Sequence, residues 1–245
     1  MFRASSLEER KEFYAKEFNF KKCVSWFKVK PQLLAVDLGT DTGIIKDKKK
    51  LNKLINFKAD FKNLRKKLVN YMPEDVYYDR NLYIDVNLVL RKLNFRKVVD
   101  TKNWLGQELA FDVDSDNIEC ECKKSGLGFC VNCLEKAKRE CLRLYDKLDK
   151  EFNSLEIVYS GRGYHLHIHD NKSFKMNVKE RKKLNNKLKK FPIAPWVSEG
   201  RIRLIRVPYS LNSLVSRIVI PLNIKELNKF DPLKDRKVIP RFLKI

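Results

Sequence analysis

Apolar and acidic residues alternate along residues 108–116, which read Glu-Leu-Ala-Phe-Asp-Val-Asp-Ser-Asp. A period of two predicts a β-strand, in which side chains at i and i+2 share a face with their bases about 6.5–7 Å apart. Asp112 and Asp114 would then converge on one or two Mg²⁺ or Mn²⁺ ions. A solvated Asp-rich turn that closes a strand is the alternative.

Four cysteines follow this strand within fourteen residues, as Cys120-x-Cys122 and Cys130-x-x-Cys133 with seven residues between the pairs. Thiolates at this spacing predict a closed, tetrahedral Zn²⁺ site, a zinc knuckle at about residues 118–135. An empty reduced loop and an iron–sulfur cluster are the alternatives. The crowding also favours a metal site in a reducing compartment over a secreted disulfide framework.

The charge of the chain indicates a polyanionic partner. Its 53 Lys and Arg residues outnumber 31 Asp and Glu residues, which gives a formal charge of +22. Such a field gathers nucleic acid at ordinary salt. An anionic membrane surface is the rival, but no apolar run approaches the roughly eighteen residues of a spanning helix, and the charged N-terminus does not resemble a signal peptide. We therefore expect a cytoplasmic protein with no membrane partner.

Two basic stretches are candidates for contact with a nucleic-acid backbone. Residues 46–67 hold ten basic and two acidic residues, and residues 172–190 hold nine basic residues and one acidic residue. Helical spacing of the apolar residues predicts a helical region in the first stretch, with a solvated face as the alternative reading, and we expect a solvated helix in the second. Further predicted elements are a helix over 5–20, a strand and Gly-rich turn over 31–45, β-runs over 76–86 and 95–99, and a helix over 133–152.

Residues 155–170 contain two β-runs around a Ser-Gly-Arg-Gly turn. His165, His167 and His169 alternate along the second run, so they should share one face of a strand. Three such histidines could bind a metal. We favour a wet groove, with the intervening apolar residues on the core side.

The turn itself gathers hydrogen-bond donors. Ser160, the glycine backbone, Arg162 and His165 surround one point, an arrangement that suits a triphosphate. A polar hairpin that faces solvent is the alternative.

Residues 201–222 read as two strands around a Pro-Tyr-Ser turn. Arg206 has the opposite parity to Arg201 and Arg203, so it should lie on the apolar side unless a bulge intervenes. A charge on that side needs a partner, and a bound phosphate would supply one.

These segments, in this order and at about this spacing, resemble the small catalytic subunit of archaeal and eukaryotic DNA primase. The resemblance rests on the acidic strand, the Cys cluster, the Ser-Gly-Arg-Gly-Tyr-His strand and the run Arg-Leu-Ile-Arg-Val-Pro-Tyr-Ser-Leu-Asn. It covers nearly the whole chain. It implies an α/β (α+β) fold, a primase catalytic core of mixed and antiparallel sheets flanked by helices, with an inserted zinc knuckle, in a single domain over residues 1–245.

The resemblance also assigns residues. It implies that Asp112 and Asp114 bind the catalytic Mg²⁺ or Mn²⁺ ions. It assigns the structural Zn²⁺ to Cys120, Cys122, Cys130 and Cys133. It assigns the phosphates of the incoming nucleotide to Ser160, Arg162, His165 and Arg206, with Asn212 where many members have a histidine.

One position departs from the family. Twelve residues before Arg206 the family carries a third metal-binding Asp, and this chain has Ala194. Losing a ligand weakens metal binding and disorders its geometry. Glu199 and Asp170 are possible stand-ins, although neither occupies the matching position. Engineered inactivation, natural decay and a local shift of the alignment would each explain the change.

The resulting expectation is a DNA primase subunit that synthesises short primers on a single-stranded DNA template from nucleoside triphosphates, by metal-dependent nucleotidyl transfer. The resemblance implies a heterodimer with a primase large subunit, in the cytoplasm of an archaeal cell and associated with the nucleoid. A nucleic-acid-binding module of the same fold without catalysis is one alternative, and a repair-type primase-polymerase is another.

Overall fold

Two four-stranded antiparallel sheets form the centre of the computed structural model, which describes residues 2–39, 54–91, 102–120 and 130–243. In spatial order the first sheet contains β2 (Leu54–Lys58), β1 (Leu33–Asp37), β3 (Asp75–Asp79) and β9 (Leu204–Arg206). The second contains β12 (Ile220–Leu222), β7 (Leu155–Tyr159), β8 (Gly163–Ile168) and β6 (Leu109–Asp114). Two short antiparallel pairs join β4 (Asn81–Tyr83) to β5 (Trp104–Gln107) and β10 (Leu211–Asn212) to β11 (Arg217–Ile218).

Helices flank these sheets, so the predicted mixed α/β class with antiparallel sheets is confirmed. They are α1 (Leu7–Glu12), α2 (Phe20–Trp26), α3 (Leu64–Tyr71), α4 (Val86–Arg91), α5 (Val131–Leu148), α6 (Asn171–Phe174), α7 (Val178–Lys187), α8 (Pro195–Ser198) and α9 (Ile224–Lys229). None of the helices in the described ranges combines the length and the apolar surface that a bilayer-spanning segment requires.

The first and fifth helices show how sequence sets these elements. Ser6 caps α1 in a capping box, where its side chain accepts the Glu9 amide and the Glu9 side chain accepts the Ser6 amide,. A π-helical turn, Phe13–Glu17, then extends α1. Residues at helical spacing give α5 a continuous apolar face: Leu134, Ala137, Cys141, Leu144 and Leu148,.

The strand β6 is shared between two cores. Its odd-numbered residues pack with α5 in one apolar cluster: Leu109, Phe111 and Val113. Ala110 instead packs in a second cluster with residues of the first sheet, among them Val36 and Tyr78. Because alternate side chains of a strand point to opposite faces, Asp112 and Asp114 share the face of Ala110, which is turned toward the first sheet.

Part of the basic stretch at 46–67 is a strand, so the predicted helix there is wrong. Residues 46–53 lie outside the described residues, but β2 follows at 54–58 and pairs with β1, with Phe57 opposite Leu34. Only the helix α3 begins near the end of the predicted stretch. The β-run predicted at 95–99 also lies outside the described residues. The second basic stretch does form helices, α6 and α7.

Candidate active site

The two acidic residues of β6 lie opposite the hairpin of β7 and β8. In the antiparallel register Asp112 is paired with His165, and Asp114 is paired with Gly163. The His165 Nε2 atom is 3.7 Å from the Asp112 Oδ1 atom. A Cβ atom at Gly163 would lie 2.4 Å from the Val113 carbonyl oxygen, so only glycine lets the strands approach this closely beside Asp114,.

Burial and mutual repulsion make Asp112 an unusual carboxyl group. Burial is the main cause that raises its pKa to about 7, and the charge of Asp114 adds to the effect,. Its Oδ1 atom is buried and accepts no hydrogen bond from any described residue. A buried carboxylate oxygen without a donor, next to a second carboxylate, is a donor set that fits a divalent cation. Burial also holds the pKa of His165 well below its ordinary value, so this histidine is neutral near pH 7.

The Ser160 turn packs against Asn212. The Asn212 Nδ2 atom donates to the Ser160 carbonyl at 2.8 Å. Gly161 has φ +98°, and a Cβ there would lie 2.7 Å from Asn212 Nδ2, so the turn requires glycine,. The Ser160 hydroxyl and the Asn212 Oδ1 atom are buried without a hydrogen-bond partner among the described residues. These two polar groups are therefore available to a ligand at this turn.

Both arginines of the predicted phosphate set are paired with carboxylates of the chain itself. Arg162 forms an ion pair with Asp116. Arg206 makes a bidentate pair with Asp75 of β3, with both N–O distances 2.8 Å. The predicted partner of Arg206 was a bound phosphate, and in the structure a carboxylate satisfies this buried charge. The charges of both arginines act on Asp112 and lower its pKa, although less than burial raises it.

The prediction of a wet histidine groove is wrong. The side chains of all three histidines of β8 are at least nine-tenths buried. His167 Nδ1 is 2.6 Å from Glu108 Oε1. The ring of Trp26 lies edge-on to the His167 ring, with 5.2 Å between the ring centroids. Tyr78 of the first sheet also donates to Glu108. The first sheet and α2 therefore cover the histidine face of β8. The three histidines pack against other side chains there and do not line a wet groove.

Residue 194 lies beside the acidic pair. The Ala194 amide donates to the Asp112 carbonyl oxygen at 3.0 Å, and its methyl group is buried. Ala194 is the N-cap of α8 and offers no side-chain cap. Neither suggested stand-in replaces the missing carboxylate here. Glu199 pairs with Arg201, and Asp170 begins α6 beyond the opposite end of β8.

Three of the four predicted zinc ligands come together. The Sγ atoms of Cys120, Cys130 and Cys133 all lie within 4.8 Å of one another, with Cys130 at 3.7 Å from each of the others. A tetrahedral ion with Zn–S bonds of about 2.3 Å separates its sulfurs by about 3.8 Å, so the cluster fits zinc. Cys122 lies outside the described residues.

Asp75 and Asp116 are the residues that sequence reasoning missed. Each pairs with an arginine of the predicted phosphate set, yet Asp75 is 131 positions away from Arg206 and Asp116 is 46 away from Arg162. An acidic residue at the start of an otherwise apolar β-run was the available signal for Asp75, because a charge buried there needs a counter-charge.

Comparisons with known proteins place this geometry in context. No family model matches the chain. It is 39% identical over 258 residues to a protein of Archaeoglobus fulgidus named an uncharacterized DNA primase small subunit-like protein, a match that covers 98% of this chain and 91% of that protein. It is 28% identical to the DNA primase small subunit PriS of Pyrobaculum calidifontis, over 72% of this chain and 69% of that protein. The match to PriS of Thermococcus sibiricus is also 28% identical and spans about half of that protein, 49% of its length.

One solved structure has a similar fold. It is the polymerase domain of Mycobacterium tuberculosis ligase D in complex with DNA, which matches with a TM-score of 0.51 over 92% of this chain and 85% of that domain. The sequence identity is 11%, so this likeness concerns the fold alone.

Proposed function

The chain belongs to the archaeo-eukaryotic family of DNA primase small subunits, and from that premise we propose that it is a nucleotidyltransferase that synthesises primers on single-stranded DNA. The observation that carries the proposal is the pair Asp112 and Asp114 on the inner face of the second sheet, where Asp112 is opposite His165 and Asp114 is opposite Gly163. A half-buried pair of carboxylates that repel each other favours a bound divalent cation over water,.

The side chains divide the chemistry among them. Asp112 and Asp114 would hold Mg²⁺ or Mn²⁺, and the bound ion would supply the positive charge that nucleotidyl transfer requires. Neutral His165 can donate a ring N–H to a phosphate oxygen. Arg162 and Arg206 meet the negative charge that develops on pyrophosphate, once nucleotide replaces their carboxylate partners. The work of the protein is therefore positioning and electrostatics.

Two hydrogen-bonding groups and one metal cluster complete the proposed site. The Ser160 hydroxyl and Asn212 would contact the phosphates at the Gly161 turn. Cys120, Cys122, Cys130 and Cys133 would hold a structural Zn²⁺ next to β6.

The proposed partners are a single-stranded DNA template, nucleoside triphosphates and a primase large subunit in a heterodimer. Support for a large subunit is that relatives carry the name PriS, a small subunit. Support for DNA is the formal charge of +22 and the DNA bound to the polymerase domain of similar fold.

A matched pair of substitutions at position 194 tests the catalytic proposal. Ala194→Asp restores a carboxylate beside Asp112, and we expect it to raise primer synthesis on a single-stranded template with Mn²⁺ by at least about tenfold, since one additional charged ligand stabilises a bound metal. Ala194→Asn has the same size and can cap α8 equally well, but it lacks the charge. It should leave the rate at the wild-type level.

Two outcomes would contradict the proposal. One is the absence of primer or extension product from the wild type and from Ala194→Asp, with Mg²⁺ and with Mn²⁺, in the presence of the large subunit. The other is equal stimulation by Ala194→Asp and Ala194→Asn, because the gain would then come from the helix cap.

A second candidate function is a nucleic-acid-binding module without catalysis. Two observations favour it: residue 194 offers no carboxylate beside Asp112, and Arg206 is already satisfied by Asp75. Nucleotide titration separates the candidates. Metal-dependent binding of a nucleoside triphosphate that is lost in Arg162→Ala supports the enzyme, whereas binding of DNA alone supports the module. Initiation without a pre-existing 3′ end would distinguish a primase from a repair-type primase-polymerase.

A further inference from the structure

An exposed tryptophan follows two residues after Ala194, whose amide donates to the Asp112 carbonyl oxygen. The side chain of Trp196 is 48% exposed, and that of Ile202 is 40% exposed. The Trp196 carbonyl oxygen accepts the amides of both Arg201 and Ile202, at 3.0 and 3.1 Å, so the two apolar side chains belong to one closed turn. Tryptophan is rarely left this open to water without a partner, because its apolar surface is the largest of any side chain.

This turn is close to the proposed chemistry. Trp196 follows Ala194 by two residues, and the Ala194 amide is bonded to the Asp112 carbonyl. The indole is therefore on the segment that borders the metal-binding strand. About half of the surface of Trp196 faces solvent there.

Hydrogen bonds also anchor the turn. Buried Arg80 donates to the carbonyls of Val197 and Ile202 and to that of Glu108, so it ties both ends of the turn to the residues that precede β4 and β6. Buried Arg181 of α7 reaches the Gln107 carbonyl at 2.6 Å in the same region. Trp196 is therefore exposed on a segment that these hydrogen bonds hold in place. Such a ring loses little conformational entropy when a ligand packs on it.

The helix that packs against α8 carries exposed positive charge. The Asn185 side chain of α7 donates to the Pro195 carbonyl at 3.0 Å and accepts from Ser198, so α7 packs directly on α8. Lys182 and Lys189, three residues before and four residues after Asn185, are both exposed. Lys182 lies one turn before Asn185 on α7, and Lys189 lies two residues after the last residue of that helix, Lys187,. An exposed aromatic ring together with lysines is the combination that binds single strands, because bases stack on the ring while lysines neutralise the backbone.

We propose that Trp196 is a stacking platform for a base of single-stranded DNA, with Ile202 widening the apolar surface and with Lys182 and Lys189 contacting the phosphates. This inference rests on the proposed function, because it assigns the single strand a path past Asp112. Stacking on an indole accepts all four bases, so the platform would guide a template without selecting its sequence.

Fluorescence anisotropy with a labelled oligothymidylate tests the platform. We expect Trp196→Ala to weaken binding by about tenfold, and Trp196→Phe to stay within about threefold of the wild type, because a phenyl ring still stacks. Ile84→Ala removes another exposed apolar side chain, 68% exposed and placed after β4. As the matched control it should leave binding unchanged.

An abasic oligonucleotide of the same length isolates the stacking. It keeps the phosphates and lacks the bases, so wild type should bind it more weakly than oligothymidylate, while Trp196→Ala should bind both about equally. Circular dichroism of each variant confirms that its fold is intact.

The outcomes separate this inference from the proposed function. If the wild type binds oligothymidylate and Trp196→Ala binds it equally well, the platform is refuted and the primase proposal stands. If Trp196→Ala loses the same affinity for abasic as for normal DNA, stacking is also refuted. If sedimentation shows that Trp196→Ala only dissociates a dimer, the surface is a contact between two copies. If the wild type binds no single-stranded DNA, both proposals fail.

Discussion

At the scale of the residue, the state of Asp112 depends on pH in a direction that can be worked out. Its pKa in the folded chain is about 7, mainly through burial, against an ordinary value of 3.8. Between these values the folded state binds more protons than the unfolded state, so the free energy of unfolding falls as pH rises from about 4 to about 7. Above pH 7 the Asp112 carboxylate is charged, and the full free-energy cost of holding that charge in the folded chain lowers the free energy of unfolding.

We therefore predict that Asp112→Asn is more stable than the wild type at pH 8 when divalent metal is removed. A cost on the order of 2 kcal/mol for the charged group corresponds to a difference in Tm of roughly 5 °C. Thermal unfolding followed by circular dichroism at pH 4 and pH 8 measures it, and the advantage should vanish at pH 4. Added Mn²⁺ should raise the Tm of the wild type and leave that of Asp112→Asn unchanged. A difference in Tm that is the same at both pH values would contradict the assignment.

The acidic pair shows what sequence reveals about single residues. Alternation along β6 predicted that Asp112 and Asp114 share a strand face, and they do. The same reasoning could not find Asp75 as the partner of Arg206. Their ion pair depends on the pairing of β3 with β9, and these two strands are far apart in the chain. The histidine groove failed for a related reason. Parity gives the face on which a side chain lies, but not what covers that face.

At the scale of the element, the cysteine cluster lies where β6 leads into α5. Cys130 is the N-cap of α5 and makes no side-chain cap hydrogen bond, while Cys133 is buried in the first turn of the helix. Metal binding here would anchor the start of the helix that covers one face of the second sheet. A metal bound to these cysteines would therefore fix the position at which α5 begins.

We predict that the purified chain contains stoichiometric zinc and that Cys133→Ser loses it. Atomic emission spectroscopy measures the metal, and thermal unfolding of the chelator-treated protein should show a lower Tm, because a structural zinc ion contributes folding free energy. Cys141→Ala is the matched control, since Cys141 is buried on α5 eight residues further along and belongs to the apolar core. Equal zinc contents in Cys133→Ser and the wild type would exclude the cluster as the site.

The helix α5 and the strand β2 show when hydrophobic periodicity is sufficient to predict an element and when it is not. The helix α5 follows its apolar stripe because eighteen residues provide five turns of signal,. The strand β2 has five residues, and its Leu, Ile and Phe spacing also suits a helix. Pairing with β1 decides in favour of the strand, and that contact is not local in sequence,.

At the scale of the whole molecule, the formal charge of +22 predicts binding to single-stranded DNA that weakens steeply with salt. For about four neutralised phosphates, the affinity should fall roughly 50-fold between 50 and 200 mM salt. Anisotropy titrations across that range measure the slope. The double variant Lys182→Ala and Lys189→Ala should flatten the slope, whereas Trp196→Phe should preserve it. Affinity that does not change with salt would argue against backbone contact.

The overall class followed from the resemblance of the ordered motifs to primase small subunits, whereas the arrangement of the two sheets did not follow from the sequence. Alternation in β6 and the apolar face of α5 each identify one buried surface. Only the structure shows that Ala110 of the second sheet and Val36 of the first sheet belong to one apolar cluster. A strand can pack both of its faces against apolar clusters, or one face against a cluster and the other against water. Both arrangements are compatible with the alternation of apolar and polar residues seen in β6.

The position of β6 at the edge of its sheet has a consequence for the order of folding. The β7 and β8 strands are joined by a short turn, so their hairpin closes locally, whereas β6 must reach β8 across almost fifty residues that include the cysteines and α5. Closing a long loop costs more entropy and is slower than closing a hairpin. Until β6 docks, Asp112 is an ordinary solvated carboxyl group with no histidine opposite. Zinc bound between Cys120 and Cys133 would shorten that span. A metal that takes no part in the proposed reaction would then set how quickly Asp112 and Asp114 come to lie opposite β8.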